Sequence, residues 1–226
     1  MSEEDQGNEG RGNEGQIREK LIQSKRKWAA EGRLLTGRNG LPAERLPPGQ
    51  HVVTNWPVLD LGIQPEVKRA DWSLTVDGAV AQPLKWSWDD FAAQPAFEDV
   101  SDIHCVTSWS RYDNHWAGVS AAHLLAMVQP TPAARHVVFH SYDGYTTNVR
   151  LDHFAAEDVL LAHSWQGQPI SREHGGPVRV IMPRYYFWKS AKWVQRIEFC
   201  VEDKPGFWEV RGYHNEGDPW TEDRYS

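Results

Sequence analysis

The chain has 226 residues, of which 40% are hydrophobic, and a formal net charge of −7; its mean hydropathy is −0.63. This is enough chain for one large domain or two small ones with a real core, and no apolar run approaches the ~20 residues of a membrane-spanning helix. The negative balance argues against nucleic acid as a partner, because phosphate backbones call for a basic surface; neither nucleic acid nor membrane is expected.

Residues 1–16, MSEEDQGNEGRGNEGQ, have almost nothing to bury. They lack the basic start, apolar core and cleavage site of a secretory signal, so the expected location is cytoplasmic. IREKLIQSKRKWAAEGRLL predicts a short helix with Ile17, Leu21, Ile22 and Trp28 as a partial apolar stripe. Gly and Pro then break the pattern in TGRNGLPAERLPPGQ. Residues 1–35 read as a flexible N-terminal arm and 36–226 as a single domain.

From His51 onward, short β-like runs alternate with short helices. WSLTVDG alternates and ends at a turn, and Ser87 is placed to cap a helix whose first turn holds Asp89 and Asp90. FEDVSDIHCV is a strand running into Cys105, and SRYDNHW after it reads as a loop. GVSAAHLLAMV predicts a helix stopped by Gln129-Pro130. RHVVFHSYDGYTTNVRL predicts a hairpin turning at Asp143-Gly144, where glycine takes the positive φ of a tight turn. DHFAAED is a short helix; VLLAHSW, GGPVRVIMP and KWVQRIEFCVE are strands. The fold class is α+β, a single sheet-rich mixed domain with a polar N-terminal arm.

Four stretches carry residues suited to chemistry. Cys105, in DIHCVTSWSR, stands among Asp102, His104, Thr107, Ser108 and Ser110. A thiolate binds soft metals and is a nucleophile, yet no second cysteine or cluster of Cys and His lies near it for a disulfide or a zinc site. Cys200, in RIEFCVE, fits a buried apolar position in a strand; whether both cysteines are reduced is left open. REHGGPVRV puts Arg179 beyond paired glycines, which either let backbone approach a ligand or simply make a turn. FWKSAKWV sets Lys189 and Lys192 around two small residues, between Trp188 and Trp193, a phosphate-wrapping loop or an ordinary strand start. HVVTNWPVLDLG presents Asn55 and Trp56 at a turn. Twelve tryptophans are unusual for this length; their flat faces fill cores and also line cofactor pockets. His136 and His140 share a strand face without a third ligand, and no hydrolase or phosphate-loop motif is present.

In this order, the four pieces resemble the sulfite oxidase family of molybdenum enzymes, over its molybdopterin-binding domain from roughly His51 to Val201. The most specific pieces are HCVTSW and VLLAHSWQGQPISREHGGPVRVIMP followed by KSAKW. The resemblance implies that Cys105 is the one protein ligand of molybdenum, the pterin supplying two further sulfurs. It implies cofactor contacts at Asn55 and Trp56, at Ser141 or Asp143 on the hairpin turn, at His174 and Arg179, and at Ser190, Ala191 and Lys192 in a closing loop. Arg111, Tyr112 and Asp113, with His115 nearby, are expected to line a substrate pocket walled by Trp109.

The implied activity is two-electron oxygen-atom transfer on a small substrate, a sulfite-like oxyanion or a sulfoxide, with molybdenum-molybdopterin as cofactor and no haem. Electrons would pass through a separate, unidentified partner. Arg184 and Lys189 are expected near the cofactor mouth, favouring anions. The chain departs from sulfite oxidases at Thr54, where those carry an arginine, and has no counterpart of their haem or dimerisation domains. It is also similar to methionine-sulfoxide reductase catalytic subunits, departing at Thr107, where those carry a glutamate. A non-catalytic molybdopterin-binding or interaction module is the alternative that these departures would fit.

Overall fold

The protein, here a computed structural model, is described over residues 19–27 and 45–226. Of the expected N-terminal arm, residues 19–27 are helical (α1); Ile17 and Trp28 lie outside the described residues. Then follow β1 (His51–Val52), β2 (Ser73–Gly78), β3 (Leu84–Ser87), α2 (Trp88–Ala92), β4 (Phe97–His104), β5 (Trp109–Ser120) and α3 (Ala121–Val128). After these come β6 (His136–Ser141), β7 (Thr146–Arg150), α4 (Leu151–Phe154), β8 (Leu160–Trp165), β9 (Gln168–Pro169), β10 (Arg179–Ile181) and β11 (Val194–Cys200).

The strands form two mixed sheets. One runs β1-β5-β8-β10, with β4 on β5 and β9 on β8; the other runs β3-β2-β11-β6-β7. β1 is parallel to β5 and β2 is parallel to β11, so each sheet joins strands distant in sequence. Both sheets feed one apolar core: Leu74, Phe139, Ile197 and Phe199 from one and Trp116, Val119, Leu161 and Val180 from the other are at most 2% exposed.

Local chemistry explains the element ends. Ser87 and Asp90 exchange hydrogen bonds in a capping box that starts α2. Gln129, at φ 51°, closes α3 in the left-handed region just before Pro130. Gly144 turns the β6–β7 hairpin at φ 79° while the Asp143 carboxylate accepts from Tyr145 N–H at 3.0 Å.

SRYDNHW is not a loop. It is the first half of β5, paired with β4 from Phe97↔Gly118 to His104↔Ser110. The polar residues gather where the register shifts: Ser101 pairs with Asn114 and Ile103 with Arg111, so Tyr112 and Asp113 together oppose Asp102. Asp113 takes φ 52° there, as a bulged strand requires. Asn114, fully buried, satisfies this irregular backbone by donating to the Ser101 and Arg111 carbonyls at 3.1 and 2.9 Å.

Beyond β11, the chain returns across the body. Glu209 meets Lys189 at 2.7 Å with both side chains at most 2% exposed, and it also accepts from Trp188 Nε1 at 2.9 Å and Thr147 Oγ1 at 3.0 Å. Removing one partner of so buried a pair leaves an uncompensated charge. Lys189→Met is therefore expected to lower unfolding free energy by about 3–5 kcal/mol, read as the shift of a urea or thermal melt against wild type.

Candidate functional site

Cys105 opens the four-residue connection between β4 and β5. Its N–H donates to the Trp109 carbonyl at 2.8 Å, and Ser108 N–H returns to the Cys105 carbonyl at 3.0 Å. Ser108 sits in the left-handed region at φ 72°. A hairpin tip is normally wet, yet residues 103–110 are all buried. Neighbours satisfy the buried backbone: His51 N–H donates to Ser108 O at 3.0 Å and Val53 N–H to Ser110 O at 2.9 Å. Gln50 Nε2 donates to Cys105 O at 3.1 Å and Arg224 Nη1 to Val106 O at 2.5 Å. The thiol lies 3.2 Å from Thr107 Oγ1. Burial pushes its pKa up, against the opposing pull of that Thr107 contact and of the Lys25 and Arg224 charges.

The thiol faces a cleft enclosing about 860 Å³, part of it open to solvent, which Trp56, Trp109, Asp143, His174, Arg179, Ser190 and Lys192 also line. Arg179, 2% exposed, donates to the His174 and Ser190 carbonyls at 2.7 and 2.8 Å and lies 4.2 Å over the Phe187 ring. Lys192 donates to Glu173 O at 2.8 Å and stands 4.3 Å over Trp193. Among the described residues, neither cation has a carboxylate within ion-pair distance. Burial lowers Arg179 to about 9; burial and then the Arg179 charge lower Lys192 to about 7. Such a pair of cations can receive an anion, although Asp60, Asp143 and Glu173 line the same cleft.

Flat surfaces complete the cleft. His174 stacks on Trp56 at 4.0 Å, and its Nε2 lies 3.1 Å from the Trp56 carbonyl. The indole N–H of Trp109 is buried and, among the described residues, without a hydrogen-bond acceptor. The paired glycines serve the protein rather than a ligand: Gly175, at φ 103°, would put a Cβ 2.7 Å from Lys192 Cβ, and Gly176 would put one 2.1 Å from Ile170 O.

Other expected positions fall elsewhere. Asn55 is exposed and outside the lining. Ser141 and Ala191 are buried behind the wall, where their carbonyls accept from Gln195 Nε2 at 2.9 Å and Val180 N–H at 2.8 Å. Arg111, Tyr112 and Asp113 do not reach the cleft, because the bulge of β5 turns them to a surface network. Arg111 binds Asn114 Oδ1 and covers Trp165 at 4.7 Å. Arg45 covers Tyr112 at 4.5 Å and bridges Asp102 and Asp113 at 2.5 and 2.7 Å. Lys189 is sealed against Glu209 and is not part of the cleft mouth; Arg184 is exposed and outside the lining. In their place the cleft takes Lys25, Asp60, Trp188, Trp208 and Tyr213. The tryptophan count was the one sequence signal for the aromatic members; Lys25 had none.

Comparison with known proteins shows the family. The family profile of the oxidoreductase molybdopterin-binding domain matches residues 61–208. An uncharacterized oxidoreductase, YuiH, of Bacillus subtilis (strain 168) is 46% identical over 183 residues, covering 80% of this chain and 92% of that protein. A protein-methionine-sulfoxide reductase catalytic subunit, MsrP, of Ralstonia nicotianae is 31% identical over 62% of this chain and 46% of its own. The sulfane dehydrogenase SoxCD of Paracoccus pantotrophus shares the fold with a TM-score of 0.58 at 18% identity, over 66% of this chain and 42% of that one. The chain thus spans nearly all of the Bacillus relative and about half of the reductase subunit.

The cleft cations set a pH dependence. Lys192 is protonated below about 7 and Lys25, lowered chiefly by burial, below about 8. Sulfate stays a dianion throughout this window. Calorimetry on cofactor-free protein is therefore expected to show sulfate affinity rising about tenfold or more as pH falls from about 9 to about 6. Lys192→Met should flatten the part of the profile near 7.

Proposed function

The chain belongs to the oxidoreductase molybdopterin-binding family, and on that premise we propose that it moves an oxygen atom, with two electrons, between a small substrate and water. The substrate class is a sulfite-like oxyanion or a sulfoxide. One observation carries this reading: the buried Cys105 thiol opens on the same cleft as Arg179 and Lys192, cations with no carboxylate of their own among the described residues.

The residues present fit a molybdenum-molybdopterin cofactor. Among the described residues, no group of three His, Cys, Asp or Glu side chains is placed to hold a metal ion, so a metal at Cys105 would need most of its donors from a cofactor. Arg179 and Lys192 would hold the cofactor's phosphate. The stacked Trp56–His174 pair gives a flat wall for a ring system, and the free Trp109 N–H gives it a donor. When bound, the molybdenum supplies a two-electron redox centre able to exchange an oxygen atom. The chain's part is to ligate through Cys105, to neutralise the phosphate and to keep water from the buried hairpin tip.

On this reading, no haem belongs to the site, and a separate carrier exchanges the electrons. Two buried cysteines that are not bonded to each other suit a reducing, cytoplasmic setting.

The test is metal analysis by plasma mass spectrometry on protein from a host that makes the cofactor. Wild type is expected to hold about one molybdenum per chain, and Cys105→Ser to lose the metal or its turnover. Folded wild type with neither molybdenum nor pterin would overturn the reading.

A further inference from the structure

Helix α1 lies outside the span that matches the family profile, yet it completes the cleft. Ile22 and Lys25, three apart and so on one face, are 2% and 9% exposed. Ile22 joins the main core cluster. The Arg26 carbonyl accepts from the Tyr225 hydroxyl at 2.5 Å, fixing the helix from its other side. Lys25 thereby lines the same cleft as Cys105, Arg179 and Lys192.

The Lys25 ammonium donates to the main-chain carbonyl of Asp60. An ammonium has three protons to give, and a carbonyl carries no full charge to neutralise it. Burying a cation this way is costly unless a charged partner arrives. The Asp60 carboxylate accepts from Gly62 N–H at 2.8 Å and Gln64 Nε2 at 2.6 Å; its charge acts on Lys25, but among the described residues the two form no direct ion pair, which leaves ammonium protons for another acceptor. The Lys25 charge is near enough to act on both the Cys105 thiol and Lys192.

We propose that Lys25 is an oxyanion-binding residue of this cleft, its ammonium taking an oxygen of a tetrahedral or pyramidal oxyanion beside Cys105. This rests on the cleft being the cofactor and substrate site. The same chemistry serves two sources, the phosphate of the cofactor and a free oxyanion substrate. In either case a helix beyond the matched domain supplies a ligand contact, and the apolar stem of Lys25 packs as the side chain reaches in.

The test uses the full chain with Lys25→Met, which keeps the stem, and Lys25→Arg, which keeps the charge. Pterin and molybdenum contents are measured on protein from a cofactor-making host, and sulfate binding is measured by calorimetry. If Lys25 holds the cofactor's phosphate, K25M is purified with contents reduced several-fold and K25R restores them. If it holds a free oxyanion, contents match wild type while the sulfate Kd rises about tenfold, and K25R again recovers it. Unchanged contents together with an unchanged sulfate Kd in folded K25M overturn the proposal; K25Q replaces K25M where the latter does not fold. Wild type without molybdenum and pterin sinks the functional reading instead, and the sulfate comparison on that protein still decides the role of Lys25.

Discussion

Arg179 carries a full positive charge at 2% exposure, held chiefly by two main-chain carbonyls, with a third, that of Val180, at 3.4 Å, and by two aromatic faces. Taking a guanidinium out of water costs several kcal/mol, of which hydrogen bonds to neutral carbonyls return only part. Much of the surrounding geometry follows from keeping it there. One carbonyl it uses is that of His174, whose ring stacks on Trp56; the other is that of Ser190, whose hydroxyl accepts from Met182 N–H at 3.0 Å. Gly175 must be glycine because Lys192 crosses it so closely. The scaffold is thus arranged around a charge that no carboxylate pairs among the described residues, so an anion bound there would add to the stability of the fold.

The buried tip at Cys105 poses a second cost, that of desolvated backbone. It is met from three directions: His51 of β1 and Val53 just after it, Gln50 before it, and Arg224 from the far end of the chain. The thiol itself therefore sits in a rigid frame rather than on a mobile loop. On the proposed reading of Cys105 as a metal ligand, such a frame would fix the direction of the thiolate before any metal is bound.

Local elements were readable wherever short-range chemistry decides them. The Ser87 cap, the Asp143-Gly144 turn and the alternation of β2 each rest on residues within one turn of one another. β5 was misread because Arg111, Tyr112, Asp113, Asn114 and His115 look like a solvated loop. Only the pairing with β4 and the opposing Asp102 shows that their polarity belongs to a bulge. The same limit governs the cleft. Cys105, His174, Arg179 and Lys192 stand in distinctive runs, so the sequence could single them out, and the fold brings them to one cleft. Lys25, Trp208 and Tyr213 reach the cleft from opposite ends of the chain, and no local pattern marks them. Lys189 shows the converse: a lysine in a promising run is committed to Glu209, a partner twenty residues on, and contributes to packing instead.

The hydroxyl of Tyr225 on the Arg26 carbonyl joins the earliest described helix to nearly the last described residue. Synthesis runs from one to the other, so α1 emerges from the ribosome some two hundred residues before the tyrosine that fixes it. Trp208 and Tyr213, part of the same wall, are also made late. Arg179, Lys192 and the inner strand β11 also belong to the last quarter of the chain, so neither the second sheet nor the cleft is complete until nearly the whole chain has been made.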